Sequence, residues 1–387
     1  MHFRTRAIHV GQPPDPQTGA VVPPIHLAAT YVQPAVGQWG PYDYSRSGNP
    51  TRKVFETTLA DLESGSGALA FSSGMAAIHA VMMLLEPGDH VLASWDLYGG
   101  TYRLLQRILS RQGIQATFAP SDDLERFAQA VRPNTRLIWI ETPGNPLLTI
   151  TDIAACAELA HRHGALLGVD STFATPVLTR PLELGADIVM HSATKYLGGH
   201  SDVLGGVLAV RDPELLERLW TIQNATGGVM APLEAFLCSR GLKTLELRVR
   251  EQCGTALVLA RRLAEHPRVR RVYYPGLPSH PGHPIACRQM QGGFGAMISF
   301  ELDGSPEQAK QFVQATRIIQ LAVSLGAVES LIELPAFMSH ASYEPAQRAA
   351  RGITDTLVRL SVGLEHPDDL WDDLAQALQK AFDGSRA

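Results

Sequence analysis

Three short apolar runs in this chain end in residues able to move protons or hold an anion. Leu137–Ile140 leads into Glu141-Thr142-Pro143-Gly144-Asn145-Pro146, Leu166–Val169 into Asp170-Ser171-Thr172, and Ile188–Met190 into His191-Ser192-Ala193-Thr194-Lys195. In open α/β sheets ligands collect beyond the carboxyl ends of the strands, so residues just past such runs stand where chemistry is done. A lone lysine there is ordinarily a solvated surface group. Here Ser192, Thr194 and Lys195 arrive together and run on into Tyr196-Leu197-Gly198-Gly199-His200. That tight turn lets hydroxyls and backbone approach a phosphate while the lysine amine reaches an aldehyde, which favours a Schiff-base lysine.

Asp170 by itself would only cap a turn. Placed opposite a protonated pyridine nitrogen, a buried carboxylate keeps that nitrogen charged and preserves the ring's capacity to draw electrons from a bound substrate. The stretch Ala68-Leu69-Ala70-Phe71-Ser72-Ser73-Gly74-Met75-Ala76-Ala77-Ile78 reads as strand, small-residue turn and helix. A glycine at that junction opens the helix N-terminus, where free amides and the helix dipole favour a phosphate. Overlapping it, Gly65-Ser66-Gly67-Ala68-Leu69-Ala70 matches a dinucleotide fingerprint of the form GxGxxA. That motif needs a strand before it and a helix within it, the reverse of the order read here, which argues against a nicotinamide oxidoreductase. His161 with His163, and His280 with His283, have no acidic or thiol partner at ligand spacing, so no metal site is expected.

The elements that must position these residues follow from periodicity. Residues 1 to about 50 are rich in Pro, Gly and Gln with little period, which predicts an extended arm lying on a neighbouring subunit. Val54, Leu59 and Leu62 then recur at helical spacing until Gly65 and Gly67. Strands are predicted at His90–Ala93, Ala116–Phe118, Leu137–Ile140, Leu166–Val169, Ile188–Met190 and Gly206–Val210, separated by amphipathic segments such as Ile153–His163. This alternation implies an α/β layer on a mostly parallel sheet. Between Leu233 and Ala264 the pattern is helical, and beyond it Val269–Tyr273, Ala296–Phe300 and Leu357–Ser361 suggest a smaller α+β domain closed by a helix through Leu370, Leu374, Leu378 and Phe382.

Composition sets the outer bounds. The 387 residues are 45% hydrophobic and 18% charged with a net charge of −5, which suits a globular protein with a large core and leaves no basic tract to follow a nucleic acid. The most apolar window, Ala68–Leu85, is interrupted by Ser72, Ser73, Gly74 and His79, so no membrane association is expected. The four cysteines, Cys156, Cys238, Cys253 and Cys287, form no CxxC pair and no apolar leader follows Met1. A cytoplasmic protein with structural thiols is the expectation.

Over almost its whole length the chain resembles the Cys/Met-metabolism family of pyridoxal 5′-phosphate (PLP) enzymes, which includes cystathionine γ-lyase, cystathionine γ-synthase, methionine γ-lyase and the O-acylhomoserine sulfhydrylases. The likeness runs from Tyr44-Ser45-Arg46-Ser47-Gly48-Asn49-Pro50-Thr51 to Arg359-Leu360-Ser361-Val362-Gly363-Leu364-Glu365 and is most specific over His191–Asp202. It implies a fold of aspartate-aminotransferase type, fold type I: a large, mostly parallel seven-stranded sheet domain and a smaller C-terminal α+β domain. The expected divisions are an arm at 1–50, a PLP-binding domain at 51–245 and a C-terminal domain at 246–387, in a homotetramer built from two active-site dimers.

The same resemblance makes Lys195 the Schiff-base lysine and Asp170 the partner of the pyridinium nitrogen. It gives the phosphate to the backbone of Gly74 and Met75 and the hydroxyls of Ser192 and Thr194, with Tyr44 and Arg46 reaching the neighbouring subunit's phosphate. Tyr98 would stack on the cofactor ring and act as acid or base. Arg359 would clamp the substrate α-carboxylate, a task suited to a bidentate guanidinium, with Asn145 and Ser324 nearby. Asp43 and Glu333 match acids that face the distal amino group of cystathionine. Gly100 stands where methionine γ-lyases carry a cysteine, and Glu333-Leu334-Pro335-Ala336 followed by Met338-Ser339-His340-Ala341-Ser342 looks more like γ-lyases. The resemblance therefore points to a small amino-acid substrate and to γ-elimination on cystathionine, giving cysteine, 2-oxobutyrate and ammonia. γ-Replacement of an O-acylhomoserine by cysteine is the alternative, then methionine γ-lyase or O-acylhomoserine sulfhydrylase activity.

Overall fold

The computed structural model describes residues 1–341 and 343–383; Ser342 of the Met338–Ser342 run and residues 384–387 of the expected C-terminal domain lie outside the described residues. Seven strands form the larger sheet: β1 (Gly67–Phe71), β2 (His90–Ser94), β3 (Gln115–Ala119), β4 (Thr135–Glu141), β5 (Leu166–Asp170), β6 (Ile188–His191) and β7 (Gly206–Val210). Their spatial order is β1-β7-β6-β5-β4-β2-β3. Only β7 runs antiparallel to its neighbours, so the sheet is mostly parallel, as expected. The continuous apolar runs are explained by helices on both faces. Every residue of β2, β6 and β7 is buried, whereas the edge strand β3 is only partly covered.

A second sheet gathers β8 (Val269–Tyr273), β9 (Met297–Leu302), β10 (Gln320–Leu321), β11 (Leu331–Glu333) and β12 (Leu357–Ser361) in the order β10-β11-β12-β9-β8. The short β10 and β11 carry too few residues to show a period, and neither was legible in the sequence. The helical stretch predicted over 233–264 is two helices, Pro232–Leu242 and Leu245–Glu265, parted at Lys243 and Thr244. Gly254 does not break the second of these, which runs through it for 21 residues with Val249, Ala256, Leu259 and Leu263 buried on one side. One buried cluster runs from Phe55 and Leu59, through Leu259 and Leu263, to Phe300 and Leu374, so the two sheets share a continuous core.

The beginning of the chain departs from the expected arm. Phe3–His9 is a helix whose Ala7 is buried in the main core, and Arg6 pairs with Asp61 at 2.7 Å. Gln12 is buried too, its amide donating to the Ala7 carbonyl. The extended segment therefore starts after residue 12, and there the apolar side chains are not packed. Leu27, Val32, Val36 and Trp39 are each at least 74% exposed.

Candidate active site

A cavity of about 350 Å³ opens at the carboxyl ends of β4, β5 and β6, roofed by the smaller sheet through Arg359 and the 323–325 loop. Its floor is built from the N-terminus of the helix Gly74–Met82. Ser73 caps that helix, its hydroxyl accepting the Ala76 amide at 3.1 Å. The amides of Gly74 and Met75 come first in the helix, have no carbonyl ahead of them, and form a ready anion site. A Cβ at Gly74 would stand 3.0 Å from Met190 Cε and 3.3 Å from Ser192 Oγ, so glycine keeps this cradle open. Thr194 closes the turn below it: Oγ1 accepts the Gly205 amide at 3.0 Å and donates to the Gly205 carbonyl at 3.2 Å.

Lys195 reaches the cavity from the same turn and donates from Nζ to Ser324 Oγ at 2.6 Å. Burial, and next the Arg359 charge, push its amine down to about 8, while Glu333 pulls the other way. Near neutrality a useful fraction is therefore uncharged, the form that can condense with an aldehyde or take a proton. Ser324 sits at φ 92°, a left-handed conformation that an L side chain rarely adopts. The turn aims its hydroxyl at the lysine, and its carbonyl accepts from Arg359 Nη2 at 3.1 Å.

Arg359 comes from β12 and donates from Nη1 to Asn145 Oδ1 at 2.9 Å. Its anionic partner is Glu333, whose Oε1 lies 3.0 Å from Nη2 and which pairs with it in register across β11 and β12. Glu333 Oε1 also accepts the Ser339 hydroxyl at 2.5 Å. Glu333, expected to face the distal end of a substrate, is here the counter-ion of the arginine. The side chain is 1% exposed and is not itself part of the cavity lining.

Asp170 lines the floor, with Oδ1 accepting the Thr172 amide at 3.1 Å and the Thr172 hydroxyl at 2.6 Å. Burial raises its affinity for a proton and the two Thr172 bonds oppose that. A ring cation against the carboxylate would hold it ionised. Tyr98 borders the cavity and is 42% exposed; its amide donates to Glu141 Oε2 at 2.7 Å. The ring folds over Gly100, where a Cβ would come within 2.4 Å of Tyr98 Cε1 and 2.7 Å of Met75 Sδ.

The remaining sequence candidates lie elsewhere. Tyr44 and Arg46 do not line this cavity; Arg46 Nε donates to Asn224 Oδ1 at 3.2 Å and its guanidinium lies 5.4 Å from the centre of the Tyr44 ring. Asp43 also lies outside it, with its carboxylate accepting the Tyr44 amide at 2.6 Å. Of the histidine pairs, His161 bonds Asp187 at 3.1 Å and His283 Nδ1 bonds the Pro275 carbonyl at 2.7 Å. Among the described residues no three His, Cys, Asp or Glu side chains gather into a metal-binding group. No helix among them is long and apolar enough to cross a membrane.

A buried lysine of lowered proton affinity, an acid on the neighbouring strand and a helix N-terminus with free amides define the site chemically, and comparison with known proteins supplies its family. Residues 4–379 match the model of the Cys/Met metabolism PLP-dependent enzymes. The chain belongs to that family. It is 51% identical over 379 residues to a cystathionine γ-lyase of Bacillus subtilis, covering 98% of this chain and 100% of the relative. A cystathionine β-lyase of Coxiella burnetii is 51% identical, covering 97% of this chain and 98% of its own. A cystathionine γ-synthase of Mycobacterium tuberculosis is 51% identical as well, covering 97% and 96%. The crystal structure of cystathionine γ-lyase from Lactobacillus plantarum complexed with L-serine superposes with a TM-score of 0.95 at 48% identity, covering 97% of this chain and 98% of that one.

Membership gives the protein PLP as its cofactor and makes it an enzyme of fold type I. The residues present suit that cofactor: free amides and small side chains for the phosphate, an amine of lowered proton affinity for the aldehyde, and a buried carboxylate for the ring nitrogen. Glu141 was flagged at its strand exit but given no role, although its sequence signal equals that of Asp170, being the first polar residue after an apolar strand. Val323 and Leu204, 57% and 62% exposed at the cavity wall, left no signal, because an apolar side chain on a loop looks the same wherever the loop points.

Proposed function

We propose that this PLP enzyme carries out γ-elimination on cystathionine, with water consumed and cysteine, 2-oxobutyrate and ammonia released. The observation that carries the reading is the filled space at Gly100. Where methionine γ-lyases are expected to hold a cysteine, the Tyr98 ring and Met75 occupy the room for any side chain. The end-to-end match to the Bacillus subtilis γ-lyase and the fold match to the Lactobacillus plantarum enzyme support the same assignment.

When bound, the cofactor supplies an aldehyde that condenses with amines and a protonated ring that draws electron density from the substrate Cα. Arg359 binds the α-carboxylate, its plane set by Asn145 and the Ser324 carbonyl. Lys195 would hold the cofactor's aldehyde through its amine, and that amine, when free, would take the Cα proton of the substrate. Ser324 Oγ, 2.6 Å from Nζ, guides that amine. Tyr98, anchored through its amide to Glu141, presents its hydroxyl towards the γ-leaving group. Gly74, Met75, Ser192 and Thr194 would hold the cofactor's phosphate, and Asp170 would hold its ring nitrogen. In an assembly of copies, Tyr44 and Arg46 reach the phosphate of a neighbouring subunit, and Asp43 on the same arm reaches the distal end of the substrate. A homotetramer in the cytoplasm completes the proposal.

The match to the mycobacterial γ-synthase at equal identity favours a second reading, γ-replacement of an O-acylhomoserine by cysteine. Supplying cystathionine alone, then O-acylhomoserine with and without cysteine, separates the two. Cysteine and 2-oxobutyrate from cystathionine are expected. Inert cystathionine, with cystathionine formed from O-acylhomoserine and cysteine, overturns the proposal, as does release of homocysteine and pyruvate.

A further inference from the structure

Glu141 ends β4 directly beside Asp170 at the end of β5, the two being register partners on neighbouring parallel strands. Both line the same cavity, and only 5% and 6% of their surfaces are exposed. Two carboxylates brought side by side out of water do not both ionise readily, because each charge lacks hydration and repels the other. Their hydrogen bonds divide them. Asp170 Oδ1 is bound by the Thr172 amide and hydroxyl, and Glu141 Oε2 by the Tyr98 amide at 2.7 Å. Glu141 is further fixed at its own amide, which donates to Ser94 Oγ at 3.2 Å.

The other groups facing Glu141 are Asp96 beyond β2, Arg359 on β12 and Tyr343 in the C-terminal region. Burial first, then the Asp170 charge, place the Glu141 carboxyl well above the usual range, and Asp96 adds to this while Arg359 opposes it. Arg359 already has Glu333 as counter-ion, so it does not offer Glu141 a free cation.

We propose that Glu141 works as an un-ionised carboxylic acid, a positioning residue that anchors Tyr98 through its carbonyl oxygen and leaves the site's single negative charge to Asp170. A neutral acid accepts from the Tyr98 amide and still carries an O–H, a pattern that a glutamine side chain reproduces with its carbonyl and amide. An ionised Glu141 would instead set a second anion beside the cofactor and lower the demand for Asp170. The inference rests on the family's cofactor and not on the choice of substrate, so its failure leaves the γ-lyase reading untouched.

The test compares the Glu141→Gln and Glu141→Ala holoenzymes with the unchanged protein. In Glu141→Gln the pH midpoint of the bound cofactor's visible absorbance is expected to stay within about 0.2 unit, because no charge is removed. Its kcat should fall less than about threefold. Glu141→Ala, which strands the buried Tyr98 amide, should lose roughly tenfold to a hundredfold in kcat, in line with an unmade buried hydrogen bond. A midpoint moved by a full unit in Glu141→Gln overturns the proposal, as does an alanine variant as active as the glutamine one. Infrared spectra of holoenzyme labelled with 13C in the glutamate side chains read the protonation state without depending on either variant. An un-ionised carboxyl band at neutral pH that survives Glu56→Gln, Glu63→Gln, Glu301→Gln and Glu333→Gln made one at a time, which between them remove the other buried glutamates, is the expected result. Its absence from any of these variants overturns the proposal even if Glu141→Gln fails to fold.

Discussion

Changing Glu333 to glutamine separates a residue that holds an arginine from one that reads a substrate. Glu333 Oε1 and Arg359 Nη2 are 3.0 Å apart and their side chains are 1% and 4% exposed. At an effective dielectric near 20, two unit charges at that distance attract by roughly 5–6 kcal/mol, much of it offset by the cost of leaving water. Removing one member leaves a guanidinium buried with only the neutral Asn145 and Ser324 oxygens for company. Losing half of such a pair costs about 3–5 kcal/mol, and glutamine, which keeps an acceptor, should fall at the lower end. The unfolding midpoint of the holoenzyme in denaturant reports that loss. An amino acid bound through its α-carboxylate restores the missing anion, so ligand should stabilise the variant more than the unchanged enzyme. Every substrate of this family brings the same α-carboxylate, so kcat/KM for cystathionine and for an O-acylhomoserine should fall by the same factor. A loss confined to cystathionine, the one with a distal amino group, together with unchanged stability, would refute the reasoning and return Glu333 to the role first expected from sequence.

Capture of PLP by the apoenzyme needs an uncharged Lys195 amine. Because its pKa is lowered to about 8, the rate of cofactor binding should climb with pH through that value and then level, where an unperturbed lysine would keep climbing past pH 10. Glu333→Gln removes the charge that holds this pKa up and should shift the midpoint to lower pH; stopped-flow absorbance at several pH values measures both, and an upward shift contradicts the geometry. Gly100→Ala places a methyl 2.4 Å from Tyr98 Cε1 and should lower kcat at least about tenfold with PLP content unchanged, whereas full activity would show that the ring position is not needed. Lys195→Ala should retain PLP through the phosphate cradle, by mass and by cofactor assay, yet show no turnover; residual turnover above background would remove the lysine from the chemistry.

Much of the larger sheet was legible because burial on both faces writes a strand as an unbroken apolar run. Leu166–Val169 and Ile188–Met190 appear in the structure with one extra residue each, Asp170 and His191. The small domain was less so. Val269–Tyr273 and Leu357–Ser361 fall where the pattern put them, but β10 has two residues and β11 three, too short for any period. The N-terminal helix hid in a stretch dominated by Pro and Gly further on, since its apolar face is only the buried Ala7 and the partly buried Phe3. Within the site, Lys195, Asp170 and Gly74 stood out by position after a strand or at a helix start, whereas Tyr98 and Arg359 were singled out by the family resemblance. The environment of Glu333 was not readable for a physical reason: what a strand residue meets depends on register, and only the pairing with Arg359 in β12 shows its carboxylate on the same face as that guanidinium and bonded to it.

That register bears on how one scaffold serves several reactions. In the proposed mechanism the Lys195, Ser324, Arg359 and Glu333 network serves only what all α-amino acids share, an amine, a Cα proton and a carboxylate. A γ-lyase, a β-lyase and a γ-synthase that are each 51% identical to this chain can therefore agree in this inner set without agreeing in product. Discrimination has to come from groups that meet the side chain beyond Cβ. In this chain the cavity lining includes Tyr98 and the exposed, apolar Leu204 and Val323. Apolar contacts there discriminate weakly, by about 1–3 kcal/mol per methylene, whereas a charged distal amino group left without a partner is rejected far more strongly. A substrate as polar at its far end as cystathionine thus needs an acid from outside this wall. Asp43, on a segment whose apolar residues await a surface, is the acid best placed to come from a second copy, so substrate choice and assembly are expected to be lost together when the arm after residue 12 is removed.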